Sequence, residues 1–406
     1  MRSNEPNKST LKTPDFSSYP DHPIKNLIIH SLGLEVQYVS GQKSFHLASD
    51  LREFSIDEET THPITREALI SPLEIPDNFK IKEAILLDCG SVGVTWSHHI
   101  TLEDKGYSIF HSGWLYQTGL SDDLDFPMNL ETQEWAAKDF DNIPICDGAV
   151  ILEDTGELIK LLTNLICYGA IVIKNLPIEK EILQRLTSRI GTIRSSNFGT
   201  FFDVKTSNQP DSNAYTNGEL LVHNDLSTRE YIPGLQFLYC LENETDGGLS
   251  TLTDGFAVAK YFRQKEPTMY EILSNYKVSF ASKGRSSDYR LKRSIFGHNE
   301  LGKLNEIRWT CWLRAPLRGF LKDMDSFYNA QKKFYHLVNN SKFKVKFKLE
   351  PGDMICMDNR RILHGRTGFT QNSGSRWIRG CYMERDELWS ALRVYSRTNA
   401  MQKVNI

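Results

Sequence analysis

The chain contains no C-x-x-C pair, no long apolar run and no surplus of one charge, and each absence excludes a class of function. Its seven cysteines (Cys89, Cys146, Cys167, Cys240, Cys311, Cys356 and Cys381) are scattered and odd in number. That pattern argues against a disulfide framework or a cysteine-rich zinc site, and for reduced thiols in a cytoplasmic setting. The longest apolar stretch, Leu161 to Ile173, is broken by Thr163 and Asn164. It falls short of the roughly 18 consecutive apolar residues that a membrane span needs, so no membrane partner is expected. Lys and Arg total 48 against 51 Asp and Glu, largely interleaved, for a formal net charge of −3. This balance gives no reason to expect nucleic-acid binding. Met1 to about His22 is rich in Ser, Asn, Lys and Pro without an apolar core, which predicts a flexible tail rather than a signal peptide.

The remaining composition is that of an ordinary folded chain. With 406 residues and 40% hydrophobic content, there is room for one large domain and a smaller one. Residues 23–120 carry short alternating runs, such as Leu34–Val39, Ala84–Leu87, Gly93–Ser97 and Tyr107–Phe110, which predict a small β-rich domain. A polar, proline-containing stretch at 121–142 reads as a linker, and 143–406 as the large domain. Within it, Glu157–Tyr168 has helical spacing and stops at Gly169, a natural position for a left-handed helix end. Ala170–Ile173 reads as a buried strand, Pro177 as the start of a helix through Arg189, and Leu235–Tyr239 as a strand. Helices are expected between Val258 and Asn275, and another at Asp325–Asn339. Phe343, Val345, Phe347 and Leu349 alternate with lysines, as in a half-buried strand. Short strands before and after a few helices predict a mainly β fold with flanking helices. The expected architecture is a double-stranded β-helix, the jelly roll of cupin-like proteins, plus the small N-terminal β-rich domain.

The chemistry concentrates in Leu221-Val222-His223-Asn224-Asp225-Leu226. In a strand, residues i and i+2 share a face, so His223 and Asp225 could hold one ion together. An H-x-D by itself is a weak signal. A distant histidine, His364, follows an apolar run and precedes Gly365, which permits close backbone approach. Two histidines and one carboxylate with open coordination positions form the facial triad of non-haem iron(II) oxygenases. Arg376 follows across Gly374 and a polar turn, where a returning strand would bring it beside His364. A guanidinium there suits the far carboxylate of 2-oxoglutarate, held by a two-pronged, charge-assisted bond. The rival reading from these residues is a cupin-like metal-binding protein, an isomerase or a lyase.

Beyond the triad, several segments resemble the γ-butyrobetaine and trimethyllysine hydroxylases, members of the 2-oxoglutarate-dependent oxygenases that include taurine dioxygenase. They are Asn213-Ala-Tyr-Thr-Asn-Gly-Glu-Leu-Leu-Val-His223-Asn-Asp225, Pro233-Gly-Leu-Gln-Phe-Leu-Tyr-Cys240, Asp246-Gly-Gly, Thr253-Asp-Gly-Phe256, Asp358-Asn-Arg-Arg-Ile-Leu-His364-Gly-Arg, and Arg376 with Gly380-Cys-Tyr382. The resemblance implies that His223, Asp225 and His364 are catalytic iron ligands. It further implies that Arg376 binds the 5-carboxylate, with Ser250 as a helping hydroxyl and Leu238 near the co-substrate. The implied cofactors are Fe(II), 2-oxoglutarate and dioxygen, with ascorbate as an accessory reductant. The implied reaction is hydroxylation of an unactivated C–H of a small amine-bearing or trimethylammonium metabolite, releasing succinate and carbon dioxide. Related enzymes turn the same oxidant to desaturation, epoxidation or ring rearrangement, which stands as the alternative.

By the same resemblance, Phe198, Phe202, Tyr215 and Tyr382 occupy the positions of an aromatic cage for the trimethylammonium group. The stretch Arg308-Trp309-Thr310-Cys311-Trp312-Leu313-Arg314 departs from the family. There Trp312 is expected to reshape the pocket, and Arg308 or Arg314 to meet a substrate carboxylate. The small domain departs further. Around Asp50-Leu51-Arg52-Glu53-Phe54-Ser55 no cysteine stands where the family holds zinc, so that site is expected to be lost. His98 and His99 would point to opposite faces of a strand, and His62 would lie in a loop. The domain could still serve a homodimer or act as a lid.

Overall fold

A computed structural model describes residues 13–100, 104–120, 130–206, 212–284, 287–370 and 373–404. The expected tail at 1–22 and linker at 121–142 lie partly outside them. The chain divides into two compact units, Met1–Asn129 with Arg397–Ile406, and Leu130–Ser396.

The smaller unit contains two three-stranded antiparallel sheets. One joins Ile24–Ile29, Gly33–Tyr38 and Lys43–Leu47, and the other Ile81–Leu86, Val92–Trp96 and Tyr107–Phe110. In Gly33–Tyr38 the side chains of Leu34, Val36 and Tyr38 are buried while Glu35 and Gln37 between them are not. This period of two leaves one face for the core, where Val92, Val94, Trp96 and Trp114 also pack. Arg52 is 1% exposed and pairs with Asp104 at 3.0 Å and Asp57 at 3.1 Å. The strand expected to carry His98 and His99 ends at Trp96, so strand alternation does not govern them. The His98 ring meets the Ser97 hydroxyl at 2.8 Å, and the His99 ring meets the Asp104 carbonyl at 2.6 Å.

The larger unit is a jelly roll. Its larger sheet runs in the order Phe202–Val204, Arg376–Met383, Leu235–Asn243, Met354–Asp358, Ala170–Lys174, Ile145–Asp147, with Ile193–Arg194 also on the second strand. Its smaller sheet runs Leu220–His223, Ile362–Arg366, Ser250–Asp254, Lys344–Phe347. Ile145–Asp147 alone among these pairs parallel, against Ala170–Lys174. Leu252, Val345 and Ile362 of the smaller sheet share one buried cluster with Ala170, Cys240, Ile355, Met357 and Ile378 of the larger. The two inner faces thus make a common core, as packed sheets require. Helices Gly255–Lys265, Pro267–Asn275 and Leu321–Val338 build a second core around Phe262, Phe327 and Phe334.

Local signals explain most of these elements. The helix Thr155–Tyr168 is capped by the Asp154 carboxylate accepting the Glu157 amide, and it ends at Gly169 with φ of 73°. The helix expected from Pro177 begins instead at Glu181. The Pro177 carbonyl accepts the Tyr239 hydroxyl and the Glu179 amide, which holds that segment as a turn.

One buried ion pair ties the smaller sheet to the helices. Asp254 is fully buried and Arg361 nearly so. The Arg361 guanidinium donates to both Asp254 oxygens, at 3.1 and 2.7 Å, and to the carbonyls of Cys167 and Gln133. Asp254 also caps the helix at Gly255 by accepting the Phe256 amide. Removing one partner of such a pair strands the other without solvent, which typically costs about 3–5 kcal/mol. Asp254→Ala should therefore lose about that much stability in equilibrium urea unfolding, and a loss below about 1 kcal/mol would contradict the role assigned to the pair.

Candidate active site

Antiparallel pairing between Leu220–His223 and Ile362–Arg366 sets His223 directly opposite His364, and the two imidazole centroids lie 4.5 Å apart. The strand stops at His223. Asp225 therefore lies in the turn that follows, where Leu226 takes a φ of 54°, and not on the strand face expected from the i, i+2 spacing. A positive φ is rare for a branched side chain and must be imposed by its surroundings. Asn359, fully buried, supplies that hold. Its carbonyl oxygen accepts the Asp225 amide at 2.9 Å, and its amide donates to the carbonyls of Asp225 and Pro233. Asn224 binds Trp309 twice, its amide to the Trp309 carbonyl and its side-chain oxygen to the Trp309 amide.

The turn delivers the carboxylate to the imidazoles. Asp225 Oδ1 lies 3.1 Å from His223 Nε2 and 3.7 Å from His364 Nε2. Its other oxygen accepts Gln236 Nε2 at 2.6 Å and the Tyr382 hydroxyl at 2.7 Å. Burial alone would raise the Asp225 carboxyl, but His364 and His223 outweigh it, so the group is held well below the ordinary carboxylate range. Burial, with His223 adding to it, pushes the His364 imidazole down to about 4.

These atoms could hold a metal ion. Ligand atoms from His223, Asp225 and His364 all lie within 4.8 Å of one another. His223 Nδ1 is 2.9 Å from the Leu221 carbonyl, which can only accept, so Nδ1 donates there and Nε2 is the nitrogen turned towards the carboxylate. Nε2 lies 3.1 Å from a carboxylate oxygen of Asp225. A proton or a metal cation between the two atoms would satisfy both. A second-sphere bond from ring nitrogen to carbonyl is also what fixes a metal-binding histidine. His364 Nδ1 has no such partner among the described residues.

Around the triad lies one cavity of about 760 Å³, its mouth included. Phe198, Phe202, Tyr215, Leu238, Ser250, Arg376 and Tyr382 all line it, so most of the residues expected from the sequence come together there. Arg376 has no hydrogen bond or ion pair among the described residues, and its Nε is buried and unpartnered. Burial pushes its guanidinium down to about 10. Arg366 also lines the cavity and is likewise pushed down to about 10 by burial, with Arg376 adding to it. Its terminal nitrogens are committed, donating to the carbonyls of Ala214, Thr216 and Gly218. Of the two cations in the cavity, Arg376 is the one free to take an anion.

Three expected residues lie elsewhere. Arg314 does not line this cavity; its guanidinium donates to Gln331 on the helix Leu321–Val338 and faces a second one. Arg308 is buried and bound to Glu306 and to the carbonyls of Ser227, Arg229 and Glu230, so it braces the segment after Asp225. Trp312 is absent from the lining but sets its ring 4.9 Å from that of His223.

Residues 144–382 match the taurine catabolism dioxygenase TauD, TfdA family. The chain belongs to that family. It is 33% identical over 391 residues to a γ-butyrobetaine dioxygenase of Pseudomonas sp. (strain AK-1), covering 94% of this chain and 99% of the relative. A trimethyllysine dioxygenase of Meyerozyma guilliermondii is 24% identical over 393 residues, 92% of this chain and 96% of its own length. PvcB, a solved iron and α-ketoglutarate-dependent oxygenase, aligns with a TM-score of 0.44 at 16% identity over 59% of this chain and 82% of its own. The chain is a non-haem iron(II) and 2-oxoglutarate-dependent dioxygenase.

For a TauD/TfdA dioxygenase, the residues that sequence reasoning misses are those that hold Asp225. Gln236 is legible in principle, because it shares a strand face with Leu238 two positions on. Asn359 sits inside the Asp358–Arg366 motif, but its role depends on contacts with a turn more than a hundred residues earlier. Losing a group that orients a metal ligand typically costs about 10–100-fold in metal affinity. Gln236→Met should weaken Co(II) binding by that factor in a spectroscopic titration; an unchanged affinity would show that Gln236 does not support Asp225.

Proposed function

We propose that His223 Nε2, Asp225 Oδ1 and His364 Nε2 hold the iron, and that Arg376 fixes the 5-carboxylate of 2-oxoglutarate beside it. The observation that carries this reading is the presence, in one cavity, of three convergent candidate ligands and a half-buried guanidinium that has no partner among the described residues. Arginine suits a carboxylate because its planar fork can donate two parallel bonds. Ser250 stands across the smaller sheet from Arg366 and offers a further hydroxyl, while Leu238 supplies an apolar wall. The iron, when bound, supplies the dioxygen chemistry that couples loss of carbon dioxide from 2-oxoglutarate to oxidation of a C–H bond. The overall balance is substrate C–H, 2-oxoglutarate and dioxygen giving C–OH, succinate and carbon dioxide.

The substrate of this reading is a small trimethylammonium compound. Asp225 apart, no acidic residue lines the cavity among those described, so a cation there would meet rings and not carboxylates. Phe198, Phe202, Tyr215 and Tyr382 supply these rings. Phe202 and Tyr382 stack with centroids 4.8 Å apart, and the Tyr382 hydroxyl is tied to Asp225, so that part of the wall is rigid. The named activities of the relatives, on γ-butyrobetaine and trimethyllysine, support the same chemical class. A cytoplasmic, reducing setting fits the seven free thiols. No helix among the described residues is long and apolar enough to cross a membrane.

Succinate release tests the reading directly. Each cation–π contact is worth about 0.5–2 kcal/mol. Replacing the trimethylammonium group of γ-butyrobetaine by a neutral tert-butyl group should therefore lower kcat/KM by about tenfold or more. Equal turnover of the neutral isostere would contradict recognition of the charge by the aromatic wall.

A further inference from the structure

The larger unit holds a second cavity, between the segment 309–314 and the helix Leu321–Val338, and the reaction above makes no use of it. Trp309, Tyr328 and Tyr335 give it flat apolar walls, and Arg314, Lys332 and His336 give it positive or titratable groups. No carboxylate lines it among the described residues. Two buried donors remain unmet. Trp309 is 1% exposed, and its indole Nε1 has no partner. Arg314 donates from one terminal nitrogen to Gln331, but its Nε is buried and unpartnered. The Arg314 and Lys332 cations at the same wall set the sign of a ligand that would fill the cavity.

We propose that this cavity is a binding site for a small carboxylate with a flat apolar body, separate from the metal-side cavity. The carboxylate meets the Arg314 and Lys332 side chains at the wall, and the apolar body lies among Trp309, Tyr328 and Tyr335. The site is well placed to influence the active site. Trp309 is bonded through its backbone to Asn224, between His223 and Asp225. Trp312, three residues on, packs against the His223 ring.

Benzoate, benzamide and benzylammonium serve as probes, followed by ligand-observed NMR and tryptophan fluorescence on the full chain. Benzoate should bind the wild type, benzamide at least about tenfold more weakly, and benzylammonium not at all, because the acceptor must be charged. Arg314→Met should weaken benzoate at least about tenfold. Lys332→Glu, exposed at the mouth, should weaken it several-fold and serves as a second variant should Arg314→Met disturb folding. Arg376→Met should leave benzoate binding intact, since that residue lines the other cavity. Three outcomes overturn the proposal. Undiminished benzoate binding to both Arg314→Met and Lys332→Glu would remove the cations from the site; binding lost in Arg376→Met would place benzoate at the metal side; and no benzoate binding to the wild type would leave water as the occupant.

Discussion

Two polar groups, His223 Nε2 and Asp225 Oδ1, stand 3.1 Å apart with a second imidazole 3.7 Å from the same oxygen. Bringing three polar groups together out of water is costly, so the fold has to hold them there. Much of the surrounding structure supplies that restraint. The Leu221 carbonyl fixes the tautomer of His223, Gln236 and Tyr382 occupy the far oxygen of Asp225, and Asn359 pins the turn at both its amide and its carbonyl. Arrangements of this kind preorganise a site before its cation arrives, so little reorganisation is needed on binding.

The jelly roll is what lets groups so far apart in sequence meet. His223 and His364 face one another because their strands are neighbours in the smaller sheet, while Arg376 opens the long strand of the larger sheet beside Leu235–Asn243. The cavity thus lies where residues of both sheets face inward. Ser250, Arg366 and His364 come from one sheet, and Gln236, Leu238, Arg376, Ile378 and Tyr382 from the other. The His223–Asp225–His364 side and the aromatic side of the cavity share Tyr382, which stacks on Phe202 and also bonds to Asp225. A substitution there would disturb both the Phe202 ring and the far oxygen of Asp225.

Much of this is legible in the residues alone. Alternation in Phe343–Leu349, the glycine after Tyr168 and the apolar run before His364 each carry their structural meaning within a few positions. Most of the side chains that the resemblance picks out, from Phe198 to Tyr382, line one cavity. What escapes is non-local. Asp225 reaches the imidazoles through a turn with a positive φ at Leu226, and that conformation is enforced by Asn359, which is distant in sequence. The expectation that Arg314 meets substrate rests on its place beside two tryptophans. Its direction is set instead by Gln331, on a helix whose packing no local pattern reveals. Pro177 carries a genuine helix-start signal, overridden because its carbonyl serves Tyr239 and Glu179.

Anaerobic addition of Fe(II) and 2-oxoglutarate to the purified chain examines the central arrangement most directly, because the chelate of a 2-oxo acid on ferrous iron absorbs visible light. One chelate per chain should form in the wild type, and none in Asp225→Ala at the same concentrations. Formation of the full chelate in Asp225→Ala, or none in the wild type, would contradict the placement of iron between His223, Asp225 and His364.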